Sequence, residues 1–146
     1  MPIRPQNREF TQLYQRFLFR FAGGVILLLT TTGRKSGKPH TVGLQYELMN
    51  GRFWVGAADG TRADWYRNIL AQPRVEIQAG ARKFTATSEV IDDPTRIADF
   101  LAYRIKQKPL MLRMILRADG LKGKITRETL LDYATRIRVV VFTPVP

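Results

Sequence analysis

Residues 25–57, VILLLTTTGRKSGKPHTVGLQYELMNGRFWVGA, decide the fold. Residues 25–32 predict a buried strand, because each is apolar or β-branched, and residues 41–48 predict its antiparallel neighbour. Asn50-Gly51 is the dipeptide that two-residue hairpin turns prefer, so it joins the second strand to a third at residues 53–57. The stretch therefore predicts three consecutive antiparallel strands, a meander.

A polar, cationic loop, GRKSGK at residues 33–38, separates the first two strands. Its two glycines permit backbone angles that other residues resist, so several N–H groups can converge on one anion. Arg34, Lys35 and Lys38 add positive charge. Glycine, serine and lysine are also common in ordinary turns, and a plain hairpin loop is the alternative interpretation. As an anion cradle, the loop would suit a phosphate or a carboxylate.

The rest of the chain alternates between helical and strand patterns. Asp93 is a suitable helix cap with proline in the first turn, and Thr126 is a second cap. Pro73 and Pro109 interrupt helical patterns. The predicted elements are a short helix at 63–71, strands at 75–79 and 84–91, helices at 93–105, 110–118 and 126–133, and a last strand at 139–142.

The N-terminal residues have apolar side chains at helical spacing, with arginines near the other faces. This pattern predicts an amphipathic helix that packs on the domain or on a partner subunit. A basic, aromatic helix could instead lie on a membrane surface. The apolar positions are Phe10, Leu13, Tyr14, Phe17, Leu18 and Phe21.

These elements indicate an α+β fold that is mainly β. We expect a six-stranded antiparallel β-barrel, closed or split, with the amphipathic helix at its N-terminus and helices before the last strand. Neither glycine cluster has the G-x-G-x-x-G spacing of a dinucleotide-binding unit. The loop is not a P-loop, because Thr32 stands where the first required glycine would be.

The composition restricts the chemistry that side chains alone could perform. A chain of 146 residues predicts one domain, residues 1–146. The absence of cysteine excludes disulfides and thiolate sites, and a single histidine, His40, excludes a multi-histidine metal site, so no metal is expected. An enzyme with so few reactive groups would use an organic cofactor. The longest apolar run, residues 25–29, is too short to span a bilayer, and with no signal peptide we expect a cytoplasmic protein.

The positive charge is concentrated late in the chain. Of the net charge of +12, residues 96–127 carry +7. Leu110, Met111, Met114 and Ile115 form an apolar stripe among these cations, which predicts a solvated helix packed on the domain. A membrane contact or a bulky hydrophobic substrate beneath the helix is the alternative. Nucleic acid is not an expected partner, since charge alone would support it.

Two motifs lie about 30 residues apart, LLTTTGRKSGKP at residues 28–39 and WYRNI at residues 65–69. Together they resemble the deazaflavin-dependent nitroreductase family. The resemblance covers roughly residues 25–91. It implies a split β-barrel, related to the flavin-binding split barrels, that binds the cofactor F420. It also implies hydride transfer from the reduced deazaflavin to an organic acceptor such as an enone, a quinone or a nitro compound.

The resemblance also implies positions for the cofactor. The phosphate and acidic tail would lie on the loop, the deazaflavin ring on the second and third strands, and the pocket would be closed by the short helix. No catalytic residue is assigned with certainty; Tyr66 and Tyr133 are candidates. The implied cofactor-binding residues are Arg34, Lys35, Ser36, Gly37, His40, Thr41, Val42, Gly56, Ala57, Ala58, Asp59, Trp65, Tyr66 and Asn68.

Two other functions remain open on the sequence. The same fold could bind FMN in place of F420, or the protein could be a carrier of a cofactor or hydrophobic ligand without catalysis. A monomer and a homodimer are equally compatible with the apolar N-terminal helix.

Overall fold

The computed structural model describes residues 26–57 and 62–146. The predicted N-terminal helix lies outside these residues, as do the candidate site residues Ala58 and Asp59. The elements of the described ranges are β1 (Ile26–Thr32), β2 (Pro39–Gln45), β3 (Glu47–Met49), β4 (Arg52–Ala57), α1 (Asp64–Ala71), β5 (Arg74–Ala79), β6 (Arg82–Ile91), α2 (Pro94–Gln107), α3 (Pro109–Ala118), α4 (Arg127–Ala134) and β7 (Arg138–Pro144).

The strands form one antiparallel sheet in the order β2-β1-β5-β6-β7-β4-β3, which curls into a half-barrel. The first hairpin places Thr31 of β1 opposite His40 of β2, with the cationic loop between them. Asn50 and Gly51 have positive φ angles of 53° and 74°, as the predicted two-residue hairpin requires. The predicted antiparallel α+β fold is therefore confirmed.

The number of strands was predicted incorrectly, because the segment at residues 41–48 is two strands. Before Tyr46, the segment pairs with β1, and after it, with β4. The predicted meander is wrong for the same reason, since the β2–β3 segment changes partner halfway. Tyr46 is buried and its ring lies 5.2 Å from that of Phe53, so packing holds the switch point in place. One residue thus connects the two edge strands, and the described sheet has seven strands rather than six.

The two faces of the sheet bury different cores. In β7, Val140 and Phe142 belong to the core inside the half-barrel, whereas Val139 and Val141 pack against the helices. This alternation follows from the two-residue period of a strand. Burying each such side chain stabilises the fold by about 1.5 to 3 kcal/mol. A strand buried on both faces therefore fixes the helices relative to the half-barrel.

Helices α2, α3 and α4 form one excursion between β6 and β7, which are themselves paired neighbours. The predicted caps are confirmed. Asp93 accepts a hydrogen bond from the backbone N–H of Thr95 (3.0 Å), and Thr126 accepts one from that of Thr129 (3.2 Å). Each cap satisfies an N–H group that has no partner within its helix.

The residues of helix α3 that pack on the domain differ from those of the predicted apolar stripe. Leu112 and Leu116 are its buried residues, while Leu110 and Met114 are 76% and 73% exposed. The stripe residues Met111 and Ile115 are half-buried. Among the described helices, none is long and apolar enough to cross a membrane.

Candidate functional site

The loop between β1 and β2 is closed by its own hydrogen bonds. The backbone N–H of Gly33 donates to the carbonyl oxygen of Lys38, and that of Gly37 donates to the carbonyl oxygen of Gly33, both at 2.8 Å. The N–H of Lys38 donates to the hydroxyl of Ser36 at 3.1 Å. Gly37 adopts a φ of 70°, which other residues rarely adopt. The loop is therefore a compact turn.

Gly33 is packed so closely that it has no room for a side chain. A Cβ atom there would lie 2.6 Å from the Ser36 hydroxyl and 2.8 Å from Nε2 of His40. Those two side-chain atoms lie 3.5 Å from each other. The absence of a side chain at Gly33 thus lets Ser36 and His40 fold over the loop.

Asn68 of α1 fastens the loop to the body of the protein. It is 2% exposed. Its Oδ1 accepts hydrogen bonds from the backbone N–H (3.2 Å) and from Nη1 (2.9 Å) of Arg34, and its Nδ2 donates to the hydroxyl of Thr31 (3.0 Å). Asp64 adds an ion pair with Arg34 at 3.4 Å. Arg34 is therefore committed to holding the loop in place.

The remaining cations of the loop are free to bind an anion. Lys35 and Lys38 are exposed and form no ion pair with any described residue. Among the same residues, the backbone N–H groups of Lys35 and Ser36 have no acceptor. A recess of about 360 Å³, which we call the cradle, is bordered by Gly33, Arg34, Lys35, Ser36, His40, Asp64 and Asn68.

A second, mostly apolar recess of about 180 Å³ lies between the half-barrel and the helices. We call it the cavity. Its wall on the half-barrel side includes Leu44, Val55, Gly56, Ala57, Ala63 and Trp65. Its wall on the helical side includes Phe100, Leu101, Arg104, Leu112, Leu116 and Tyr133.

Helix α1 borders both recesses. Asp64 and Asn68 line the cradle, and Trp65 lines the cavity. The indole Nε1 of Trp65 is buried and has no hydrogen-bond partner among the described residues. Since a buried donor is destabilising when unpaired, an acceptor atom on a bound ligand would satisfy it.

Tyr133 lies in the cavity wall, and its hydroxyl is already engaged. The hydroxyl donates to Oδ2 of Asp119. The pKa of Tyr133 is raised well above its usual value. Burial contributes most to this shift, and the hydrogen bond to Asp119 and the negative charge of Asp119 add to it. The phenol therefore keeps its proton at neutral pH.

The candidate cofactor residues fall into distinct places in the structure. Arg34, Lys35, Ser36, His40 and Asn68 border the cradle, with Gly37 in the same turn, whereas Gly56, Ala57 and Trp65 line the cavity. Three others border neither recess. Val42 and Tyr66 belong to the core, and Thr41 hydrogen-bonds Thr30 (2.8 Å) beside a separate recess that includes Glu76 and Lys83.

Sequence reasoning missed the ion cluster beside the cavity. Arg104 Nε lies 3.4 Å and Lys108 Nζ 3.1 Å from Oε1 of Glu47. Burial lowers the pKa of Arg104, whereas the nearby carboxylate of Glu47 opposes this shift. The guanidinium therefore stays charged. The one available signal was Glu47 itself, the only charged residue in the predicted strand at residues 41–48.

Known proteins are similar to this chain both in sequence and in architecture. An F420H2-dependent quinone reductase of Mycobacterium tuberculosis is 35% identical over 68 residues, which are 44% of this chain and 46% of that protein. The chain thus spans about half the length of the curated relatives that it matches.

Solved structures extend the likeness to the fold. A structure described as a domain-swapped dimer is 26% identical, with a TM-score of 0.53, and covers 80% of this chain and 78% of its own. An F420-H2 dependent reductase (FDR-A) is 24% identical, with a TM-score of 0.55 over 80% of this chain and 92% of its own. The split-barrel-like fold implied by the resemblance is therefore confirmed.

The model of the F420H2-dependent quinone reductase family matches residues 5–110. This range contains both motifs, the cradle and the half-barrel wall of the cavity. The match confirms the resemblance to F420-dependent enzymes that the loop and the WYRNI motif indicated. The chain belongs to the F420H2-dependent quinone reductase family.

Proposed function

We propose that this chain binds F420 and uses the reduced cofactor to reduce a quinone-type acceptor. The observation that carries the proposal is the position of α1, which borders a cationic cradle with Asn68 and an apolar cavity with Trp65. A ligand with an anionic tail and a planar, apolar ring needs both environments, close together. Membership of the family supports F420 as that ligand.

We assign the tail of the cofactor to the cradle. Lys35 and Lys38 offer unpaired positive charges, and the free N–H groups of Lys35 and Ser36 offer hydrogen bonds to phosphate oxygens. Arg34 contributes indirectly, because its guanidinium is held by Asn68 and Asp64. We assign contacts with the deazaflavin ring to Gly56, Ala57 and Trp65, which line the cavity.

The protein would contribute binding, orientation and exclusion of water. When bound, reduced F420 supplies a hydride. Gly56 has no side chain and is open on the cavity side, so a flat ring can approach the backbone of β4. Leu112 and Leu116 of α3 close the opposite side against solvent. Proximity within such a mostly apolar cavity favours the transfer without a dedicated acid and base.

Titration of the purified protein with F420 and, separately, with FMN tests the proposal. We expect F420 to bind with micromolar affinity, as measured by the change in ligand fluorescence, and FMN to bind much more weakly. Reduced F420 should then be oxidised on addition of 2-methyl-1,4-naphthoquinone, as followed by the return of F420 absorbance. Tight binding of FMN but not of F420 would identify FMN as the cofactor. Binding of F420 without turnover would indicate a carrier that does not catalyse the reaction.

We further propose that α3 contacts an anionic membrane, from which a hydrophobic acceptor could reach the cavity. Leu110 and Met114 are exposed on one side of α3, while Leu112 and Leu116 line the cavity on the other. Arg113 and Arg117 are exposed on the same helix. Exposed apolar side chains flanked by cations are typical of helices that lie on anionic membrane surfaces.

Changing Leu110 and Met114 together to glutamine is expected to reduce binding to vesicles that contain phosphatidylglycerol by several-fold. The reason is the loss of two apolar side chains that would enter the lipid interface. Co-sedimentation measures the effect, and vesicles of phosphatidylcholine alone provide the charge control. Turnover of a water-soluble quinone should be unchanged. Undiminished vesicle binding by the variant would assign the contact to another part of the chain.

A further inference from the structure

Arg104 places a cation in the wall of the cavity. It lies near the end of α2, is 8% exposed, and borders the space together with apolar residues such as Leu101 and Leu116. Its guanidinium carbon lies 5.7 Å from the centre of the Phe100 ring. A buried arginine is costly unless its charge and its donors are used.

The cluster around Arg104 carries one uncompensated positive charge. Arg104 and Lys108 share a single carboxylate, that of Glu47, at 3.4 Å and 3.1 Å. Among the described residues, Glu47 and Arg104 are the buried members of this cluster, while Lys108 is half-buried. Asp119, whose carboxylate accepts a hydrogen bond from the hydroxyl of Tyr133, is exposed. An anionic group in the cavity would therefore balance the cluster.

Arg104 also retains unused donors. Its Nε is directed to Glu47, whereas Nη1 and Nη2 have no hydrogen-bond partner among the described residues. A guanidinium carries five N–H groups, so the four on Nη1 and Nη2 stay unpaired among the described residues, at a side chain that lines the cavity. An oxygen atom that gains negative charge during a reaction is the best partner for such donors.

We propose that Arg104 binds a carbonyl oxygen of the acceptor and stabilises the negative charge that this oxygen acquires on reduction; this inference rests on the proposed function. A quinone that accepts a hydride gains two electrons and one proton, which leaves a hydroquinone monoanion. A proton from water then completes the reduction. Arg104 keeps its own proton throughout and acts through hydrogen bonds and charge.

The first test compares Arg104→Gln with Arg96→Gln, a matched change at an exposed position of the same helix. We expect kcat/KM for 2-methyl-1,4-naphthoquinone to fall about ten-fold or more in R104Q, as befits the loss of a charge-assisted hydrogen bond. R96Q should match the wild type, and R104K should recover part of the loss. The affinity for F420, measured by fluorescence, should not change in any of the three variants.

The structure of the ion cluster indicates that the R104Q variant should still fold. In R104Q, Glu47 keeps its ion pair with Lys108, so a lone buried carboxylate is not created. The melting temperature checks this point. An unchanged kcat/KM in a folded R104Q that binds F420 would overturn the inference while leaving the proposed function intact. Failure of the wild type to bind F420 would instead remove the proposed function.

The second test needs neither cofactor nor turnover. 4-Nitrophenol carries one ionisable oxygen on a ring, and its ionisation is visible by absorbance. Bound to the wild type, its ionisation should move to lower pH, because Arg104 favours the anion. R104Q should abolish this shift and R96Q should retain it. No shift with the wild type, or the same shift with R104Q, would overturn the inference.

Discussion

Replacing Lys35 and Lys38 together with alanine is expected to weaken F420 binding by at least about ten-fold, with no change in melting temperature. Both side chains are exposed and pair with no carboxylate among the described residues, so their loss removes charge without breaking a contact. A charge-assisted hydrogen bond contributes roughly 1.5 to 3 kcal/mol, reduced here by solvent screening. Fluorescence titration measures the dissociation constant.

Ionic strength provides the internal control for this experiment. If the two lysines bind the tail by charge, added salt should weaken binding by the wild type more than binding by the double variant. Arg34→Ala is a poorer probe, because it also removes bonds to Asn68 and Asp64. If the double variant and the wild type bound F420 equally well at low salt, the tail of the cofactor would not bind in the cradle.

Asn68→Ala is expected to lower both stability and cofactor affinity. The change removes three hydrogen bonds, two of them to the partly buried Arg34 and one to the buried hydroxyl of Thr31. Each unsatisfied buried group costs about 1 to 3 kcal/mol, so we expect a loss of about 2 to 4 kcal/mol in the free energy of unfolding. Thermal unfolding should show a decrease of about 5 to 15 °C.

The neighbouring change Asp64→Asn provides the contrast. Asp64 pairs with the same arginine, but its side chain is 60% exposed and the distance is 3.4 Å. Such surface pairs contribute about 0 to 1 kcal/mol. D64N should therefore keep the melting temperature within a few degrees of the wild type. If N68A were as mild as D64N, the loop would be held by contacts other than Asn68.

Local signals in the sequence predicted most of the secondary structure correctly. The Asn50-Gly51 turn and the caps at Asp93 and Thr126 are determined by neighbouring residues, and all three occur as predicted. The change of partner at Tyr46 could not be predicted in this way. Periodicity shows that residues 41–48 are extended, but the strand that pairs with them depends on how the whole sheet curls.

The candidate site shows the same division between local and distant information. The turn at residues 33–38 carries its glycines and cations within six positions, so the sequence alone could suggest an anion-binding loop, with a plain hairpin loop as the alternative. Arg104 and Glu47 are 57 positions apart and meet because α2 packs beside β3. Neither residue was therefore singled out from the sequence. The role of Asn68 as a brace also depends on a distant partner, Arg34.

The excursion between β6 and β7 gives the protein a modular architecture. Because β6 and β7 are already paired, the segment between them can change in length or sequence without altering the order of the sheet. That segment supplies the helical wall of the cavity, while the described residues that border the cradle all lie between Gly33 and Asn68. Under the proposed function, exchange of this one contiguous segment would change the acceptor side of the cavity and leave the cradle unchanged.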